Sequence, residues 1–309
     1  MISVSTPSSP RHPGRPVALV TGASSGIGTA TVTRLLAADW VVYAAARRLE
    51  RMAPLWEAGA RLLPLDVADD DASTIAVDRV LTETGRIDAL VNNAGFGAYG
   101  ALEDMPLEEA QRQFAVNVFG LARLTQLVLP TMRRQRRGRI VNISSIGGRI
   151  HEPMGSWYPA TRFAMEGLSD CLRMELADLG IDVVVIQPGA IRTEWGAIAR
   201  EGLLRTSGRT AYASQGRRTA ALLAGADATG GAAPEVVADA VWRALTARRP
   251  RTRFAVGGGA PPLLALRWLL PDRACDRVMW LATDAMVRQA DAHATNASAA
   301  GVARTPRSA

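Results

Sequence analysis

No lysine occurs anywhere in the 309 residues, so all 36 basic side chains other than histidine are arginines. Against 29 acidic residues this leaves a net charge of +7, but a bias that acts at every position does not imply a nucleic-acid partner. The densest basic run, Met132 to Arg139, follows a long helical pattern, where cations complement the negative end of the helix dipole and Gly138 is expected to supply the stop. It lacks the interleaved aromatics that stack on bases.

Cysteine is almost as scarce. Cys171 and Cys275 lie far apart, which excludes a disulfide framework and a cysteine-based metal site and suits a reducing cytoplasm. The histidines are His12, His151 and His293, and no pair has ligand spacing, so no metal centre is expected. Residues 1–16 lack the apolar run of a secretory signal and read as a disordered leader. Pro261 to Pro271 is strongly apolar but too short to span a membrane, so no transmembrane span is expected; docking on the fold, a subunit contact and shallow peripheral membrane contact stay open for it.

What is present is alternation. Short apolar runs at Val17–Val20, Val41–Ala45, Arg61–Leu65, Asp88–Val91, Arg139–Ile143, Asp182–Ile186 and Arg253–Val256 alternate with helical patterns near Ile27–Ala38, Ala72–Thr84, Leu107–Arg134, Tyr158–Leu179 and Glu235–Ala247. This predicts an α/β fold, a doubly wound parallel seven-stranded sheet of Rossmann type in one domain over residues 17–257, with ligands at the carboxyl ends of the strands. Within it, residues 193–233 read as a lid; residues 258–290 follow as an apolar helical extension and 291–309 as a frayed tail.

After the first strand comes Thr21-Gly22-Ala23-Ser24-Ser25-Gly26-Ile27-Gly28, a turn whose glycines let a pyrophosphate approach the backbone at a helix N-terminus. The next strand ends Ala44-Ala45-Ala46-Arg47-Arg48, with no acid to receive ribose hydroxyls and with Arg47 able to meet a 2′-phosphate, which favours NADP(H). With T-G-x-x-x-G-x-G, Asp66-Val67, Asn92-Asn93-Ala94-Gly95, Asn117 and Pro188-Gly189 in order, the stretch from Val17 to Val256 resembles the short-chain dehydrogenase/reductase family, nearest to the bacterial relatives of hydroxysteroid and retinol dehydrogenases.

That resemblance implies a dinucleotide held by Gly22, Ser24, Ser25, Gly26, Ile27, Gly28, Arg47, Asp66, Val67, Asn93, Ala94, Gly95, Tyr158, Arg162, Pro188, Gly189, Ile191 and Thr193. It also implies a reaction centre in which Tyr158 exchanges a proton with the substrate oxygen, Ser145 polarises that oxygen and Asn117 anchors a relay water through a helix distortion. Arg162 stands where the family has lysine: the charge and donors remain, while proton transfer to water is poorly served by a guanidinium. The leading expectation is an oxidoreductase for a bulky hydrophobic ketone or aldehyde and its alcohol, with Tyr99, His151, Trp157 and Trp195 as substrate contacts. A weakened nucleotide-binding protein and a non-redox enzyme on the same fold are the alternatives. In similar proteins the helices starting at Leu107 and Tyr158 form the contact of a homo-oligomer, a dimer or tetramer.

Overall fold

The Val, Leu, Ile and Ala runs become strands because both faces of each can be covered, the situation in which a parallel sheet is stable. In the computed structural model, β1 (Val17–Thr21), β2 (Val41–Ala46), β3 (Arg61–Pro64), β4 (Ala89–Asn92), β5 (Gly138–Ile143), β6 (Ile181–Pro188) and β7 (Arg253–Val256) form one parallel sheet. The strand order is β3-β2-β1-β4-β5-β6-β7. The chain reverses direction of travel between β1 and β4, which opens a crevice at their carboxyl ends. Residues 14–225 and 231–302 are described, 286 and 289–302 by backbone alone. The excluded positions take in most of the expected leader, a piece of the lid and the end of the tail.

Alternate residues of the strands feed two cores. On one face Val20, Ala44, Val91, Val141 and Ile186 pack against α1 (Gly26–Leu36) and α9 (Pro234–Thr246) through Val32, Leu35, Val237 and Val241. On the other, Leu19, Tyr43, Leu90, Ile140 and Val183 meet α3 (Asp70–Thr84) and α5 (Leu121–Gln135) through Val77, Val80, Leu124, Val128 and Met132. Short α2 (Ala53–Glu57) follows β2, and α6 (Trp157–Leu176) precedes β6.

The single helix expected over Leu107–Arg134 is in three parts: α4 (Leu107–Phe114), a π-helical turn at Ala115–Gly120, and α5. The wide turn accommodates a close approach, since a Cβ on Gly120 would lie 2.3 Å from the Val67 carbonyl oxygen. By length and apolarity the whole stretch could cross a membrane, but Leu124, Val128 and Met132 face the sheet with no exposed surface. Its stop also differs from expectation. Arg136, at φ +53°, takes the left-handed position, and Gly138 instead opens β5, where a Cβ would sit 2.5 Å from Met132 Sδ. Arg139 then donates to the carbonyls of Ala244 and Ala247, closing the C-terminus of α9.

The expected lid folds as two helices, α7 (Glu194–Ser207) and α8 (Ala213–Gly225), packed over the crevice. Beyond β7, α10 (Ala260–Leu269) and α11 (Asp272–Val302) follow. Helix α11 packs on α8 and continues through residues expected to fray. Trp268 at the end of α10 is 85% exposed.

Candidate active site

The crevice between β1 and β4 is laced by side chains. Thr21 Oγ1 accepts hydrogen bonds from the backbone N–H groups of Asn93 and Ala94, both at 3.0 Å. Asn93 Nδ2 in turn donates to the carbonyls of Thr21 and Gly22 at 2.9 and 3.1 Å. This clamp leaves no room for side chains in the turn: a Cβ on Gly22 (φ +64°) would lie 2.8 Å from Ala94 Cα, and one on Gly28 would lie 2.2 Å from the Gly22 carbonyl oxygen. Helix α1 then starts with Ser25 extended, its side chain making no capping bond and no acid in the first turn. Ser24, Ser25 and Ile27 are partly exposed beside these free N–H groups, which suits an anion.

Ala46 is buried at the end of β2, and Arg47 reaches back so that Nη1 lies 3.8 Å from Asp66 Oδ2. Val67 is buried against the π turn. On the other side, Pro188 and Gly189 end β6, with Gly189 pressed so close to the Gly258 carbonyl that a Cβ would be 2.2 Å away. Ile191 is buried, and Thr193 caps α7 by accepting from Trp195 N–H. The Thr193 methyl also lies over the glycine turn, 2.8 Å from where a Cβ on Gly26 would be.

An ion pair also spans this crevice. Arg51, beyond β2, makes a two-pronged ion pair with Glu194, the first residue of α7, Nη1 donating to Oε2 at 2.9 Å and Nη2 to Oε1. Strands β2 and β6 are separated by β1, β4 and β5. That is four strand spacings, roughly 19 Å, so the two segments converge over the carboxyl edge of the sheet. The hydrogen bonds from Arg51 hold the Glu194 carboxyl below its ordinary range. The pair therefore persists at neutral pH and is lost only as pH falls through that lowered value.

At the chemical centre, Ser145 follows β5 in an extended conformation and its Oγ accepts from Gly147 N–H at 3.1 Å. The Ser145 hydroxyl and the Tyr158 ring converge above Gly147, lying 3.5 and 3.6 Å from a Cβ built there. One helical turn along α6, the Arg162 guanidinium carbon stands 5.0 Å from the Tyr158 ring centroid. Its Nη1 donates to the Ile143 carbonyl at 3.1 Å, whereas Nε is buried without a partner. Gly95 makes room for it: a Cβ there would lie 2.8 Å from Arg162 Nη2.

Asn117 sits within the π turn, where a helix distortion was expected. Its amide is fully engaged with protein: Nδ2 donates to the Phe96 carbonyl and Thr161 Oγ1, and Oδ1 accepts from Phe96 N–H. The side chain thus braces the loop after β4.

Of the four expected substrate contacts, two join the centre. The rings of Tyr99, Tyr158 and Trp195 are in mutual contact, with centroids 5.1 to 5.9 Å apart. Trp157 turns instead to Phe114, edge to face at 6.4 Å. His151 is tied to the C-terminal extension, its Nε2 lying 2.7 Å from Asp276 Oδ1. Two residues not singled out in the sequence matter here. Glu152 Oε1 accepts a short hydrogen bond from the Tyr99 hydroxyl, and Arg51 makes the crossing pair. A groove of about 460 Å³ opens beyond Tyr99, lined in part by Ala101, Leu102, Pro153, Met154, Tyr212 and Trp280. Among the described residues no group of three or more His, Cys, Asp or Glu could hold a metal ion.

Comparison with known proteins places this geometry. The family model of the short chain dehydrogenases matches residues 16–203. A short-chain type dehydrogenase/reductase of Helicobacter pylori is 32% identical over 265 residues, covering 86% of this chain and 97% of its own. An NADPH-dependent 3-dehydrocapnine reductase of Ornithobacterium rhinotracheale is 33% identical, covering 85% and 95%. The crystal structure of a short-chain dehydrogenase from Streptomyces avermitilis superposes with a TM-score of 0.73 at 36% identity, covering 82% of this chain and 92% of that one. An actinorhodin polyketide ketoreductase solved with NADPH gives 0.69 at 31%, covering 80% and 97%. With the family model spanning more than half of its length and relatives matched nearly end to end, this chain belongs to the short-chain dehydrogenase family and is an oxidoreductase.

Proposed function

We propose that the protein is an NADP(H)-dependent oxidoreductase that interconverts a bulky apolar ketone or aldehyde and its alcohol. The observation that carries this reading is the convergence of the Ser145 hydroxyl and the Tyr158 ring above Gly147, with the Arg162 guanidinium over the same ring. The residues fit a dinucleotide. The glycine turn is a cradle that a Cβ would fill, and the buried Nε of Arg162 lacks a partner where a ribose hydroxyl would supply one. The Ornithobacterium reductase is named for NADPH and the ketoreductase was solved with it, which supports the same cofactor here.

When bound, the nicotinamide supplies or accepts the hydride. In the reduction direction Ser145 Oγ donates to the carbonyl oxygen and orients it, and Tyr158 gives its phenolic proton to that oxygen as the carbon is reduced. Arg162, whose guanidinium stands over the Tyr158 ring, would hold the ribose. Its guanidinium does not release a proton at working pH, so the phenol is replenished from water rather than through Arg162. Trp195 and Tyr99 cover the centre and exclude bulk water. The test is consumption of NADPH against a panel of hydrophobic ketones. Product formation without nucleotide consumption would instead favour the non-redox alternative.

Arg47 stands free enough, at 67% side-chain exposure, to turn from Asp66 to a 2′-phosphate. NADPH is therefore expected to bind at least about tenfold more tightly than NADH, about 1.4 kcal/mol. A fluorescence titration of both nucleotides checks this, and Arg47→Ala is expected to remove the preference.

We place the protein in a reducing cytoplasm, in keeping with two free cysteines. A homo-oligomer is supported by Leu107, Phe119 and Phe163, which are 59, 65 and 47% exposed on the helices that pair in similar proteins. Light scattering at micromolar concentration is expected to give a dimer or tetramer, and Phe119→Glu to shift it towards monomer.

A further inference from the structure

The two helices beyond β7 sort their side chains by charge and polarity. On the inner side, Leu263 and Leu266 of α10 close a small cavity with Val278 and Met279 of α11 and with Ile150 from the loop after Ser145. Every acidic side chain described on this helix pair is held by a partner: Asp272 by Arg267, Asp276 by His151 and Asp284 by Arg218. Along this side the extension is seated on the fold.

The outer side is different. Trp268 and Leu269, at the end of α10, are 85 and 67% exposed, and Leu281 of α11 is 64% exposed. No other large apolar side chain among the described residues is as exposed as Trp268. Arg273, Arg277 and Arg288 of α11 are exposed too, and none has an ion-pair or hydrogen-bond partner among the described residues. With Leu281 they form one stripe, because steps of four, four and seven residues return a helical side chain to nearly the same side.

The occupant of this face must accept exposed apolar side chains and unpaired positive charge together. A bilayer with anionic head groups does both, since its interfacial zone takes tryptophan and leucine and its phosphates take arginine. A nucleic acid would leave Leu269 and Leu281 against water. A second copy is opposed by symmetry: a twofold contact sets one patch against itself, bringing unpaired arginines together with no free carboxylate between them. We propose that α10 and α11 form a docking surface for an anionic lipid bilayer, with Trp268 and Leu269 in the interfacial zone and Arg273 and Arg277 on head-group phosphates. The attachment is peripheral, because the 10 residues of α10 reach about 15 Å, half of the roughly 30 Å hydrocarbon core. It is independent of the reaction at Ser145 and Tyr158.

The experiment uses the full chain with vesicles of phosphatidylcholine, pure or mixed with phosphatidylglycerol. In flotation at about 0.1 M salt, partitioning onto the mixed vesicles is expected to exceed that onto pure phosphatidylcholine by at least about tenfold, and to fall at about 1 M salt. Trp268→Ser with Leu269→Ser, and separately Arg273→Gln with Arg277→Gln, should each lower the partition coefficient at least about tenfold. Far-UV circular dichroism should be unchanged, since all four side chains are exposed. Trp268→Phe keeps an apolar ring and should still float, but should lose most of the fluorescence quenching that brominated phosphatidylcholine causes in the unmodified protein. No flotation with the mixed vesicles, undiminished partitioning in either double variant, or undiminished quenching in Trp268→Phe would overturn the proposal. So would a fall in mass by light scattering for Trp268→Ser with Leu269→Ser in protein that never floats, which would assign the face to a second copy.

Discussion

Replacing Tyr158 by phenylalanine is expected to lower turnover by about 10²- to 10⁴-fold, the range for loss of a general acid. Only the phenolic oxygen is removed. The ring keeps its contacts with Tyr99 and Trp195 and its place under Arg162, so NADPH affinity should stay within about twofold (roughly 0.4 kcal/mol) of the unmodified protein. Steady-state kinetics with a responsive ketone and a nucleotide titration separate the two effects. Unchanged turnover in a folded variant would eliminate Tyr158 as the proton donor. Arg162→Lys is the companion measurement. It keeps the charge, loses the second prong that reaches Ile143, and restores a group able to pass protons to water, so the rate should be held or raised.

The other large effect is expected from a single methyl group. Gly28→Ala places a carbon 2.2 Å from the Gly22 carbonyl oxygen and 2.7 Å from Asn93 Nδ2. Neither neighbour can retreat: Gly22 is pinned by Ala94 behind it, and Asn93 is held by its two bonds to the turn. Relief must come from opening the turn, which moves the N–H groups at the start of α1 away from any diphosphate. Nucleotide affinity should fall at least about 100-fold, about 2.7 kcal/mol. Fluorescence titration reads this, and an unchanged far-UV circular dichroism spectrum shows that the sheet survives. Retention of full affinity would mean that the turn is not where the diphosphate lies.

How much could be read from the sequence follows from the distance over which each feature is encoded. The strands and the glycine turn are local: β-branched runs and glycine spacing carry their own geometry, and their positions agree with the structure to within a residue or two. The π turn at Ala115–Gly120 has no local signature. It arises because α4 and α5 must pass a loop braced by Asn117 and the Val67 carbonyl in the turn after β3. The Gly138 stop was misplaced because close packing on Met132, rather than positive φ, is what calls for glycine there. Partners far apart in the chain were invisible. Glu152 meets Tyr99 across 53 residues and Arg51 meets Glu194 across 143, and neither loop carries a pattern that names the other. Trp157 illustrates the converse. Adjacent to Tyr158 in sequence, it is turned by the helical step of about 100° onto Phe114 instead.

The Arg51–Glu194 pair gives the crevice a roof whose hinge pin is electrical. A dinucleotide lying along the carboxyl edge of the sheet would be threaded beneath it, and its exchange is then expected to require the two side chains to part. Both charges face water, and interactions of that kind are weakened by dissolved salt, whose screening length shrinks from about 10 Å at 0.1 M to about 3 Å at 1 M. Nucleotide release, followed as the decay of NADPH fluorescence on dilution, should therefore quicken with ionic strength, and Arg51→Gln should be fast at every salt concentration. Exchanging the two residues, Arg51→Glu with Glu194→Arg, should bring the slow release back. The rate at which this enzyme resets between turnovers would then answer to the salt content of its surroundings through a contact that touches neither hydride nor proton.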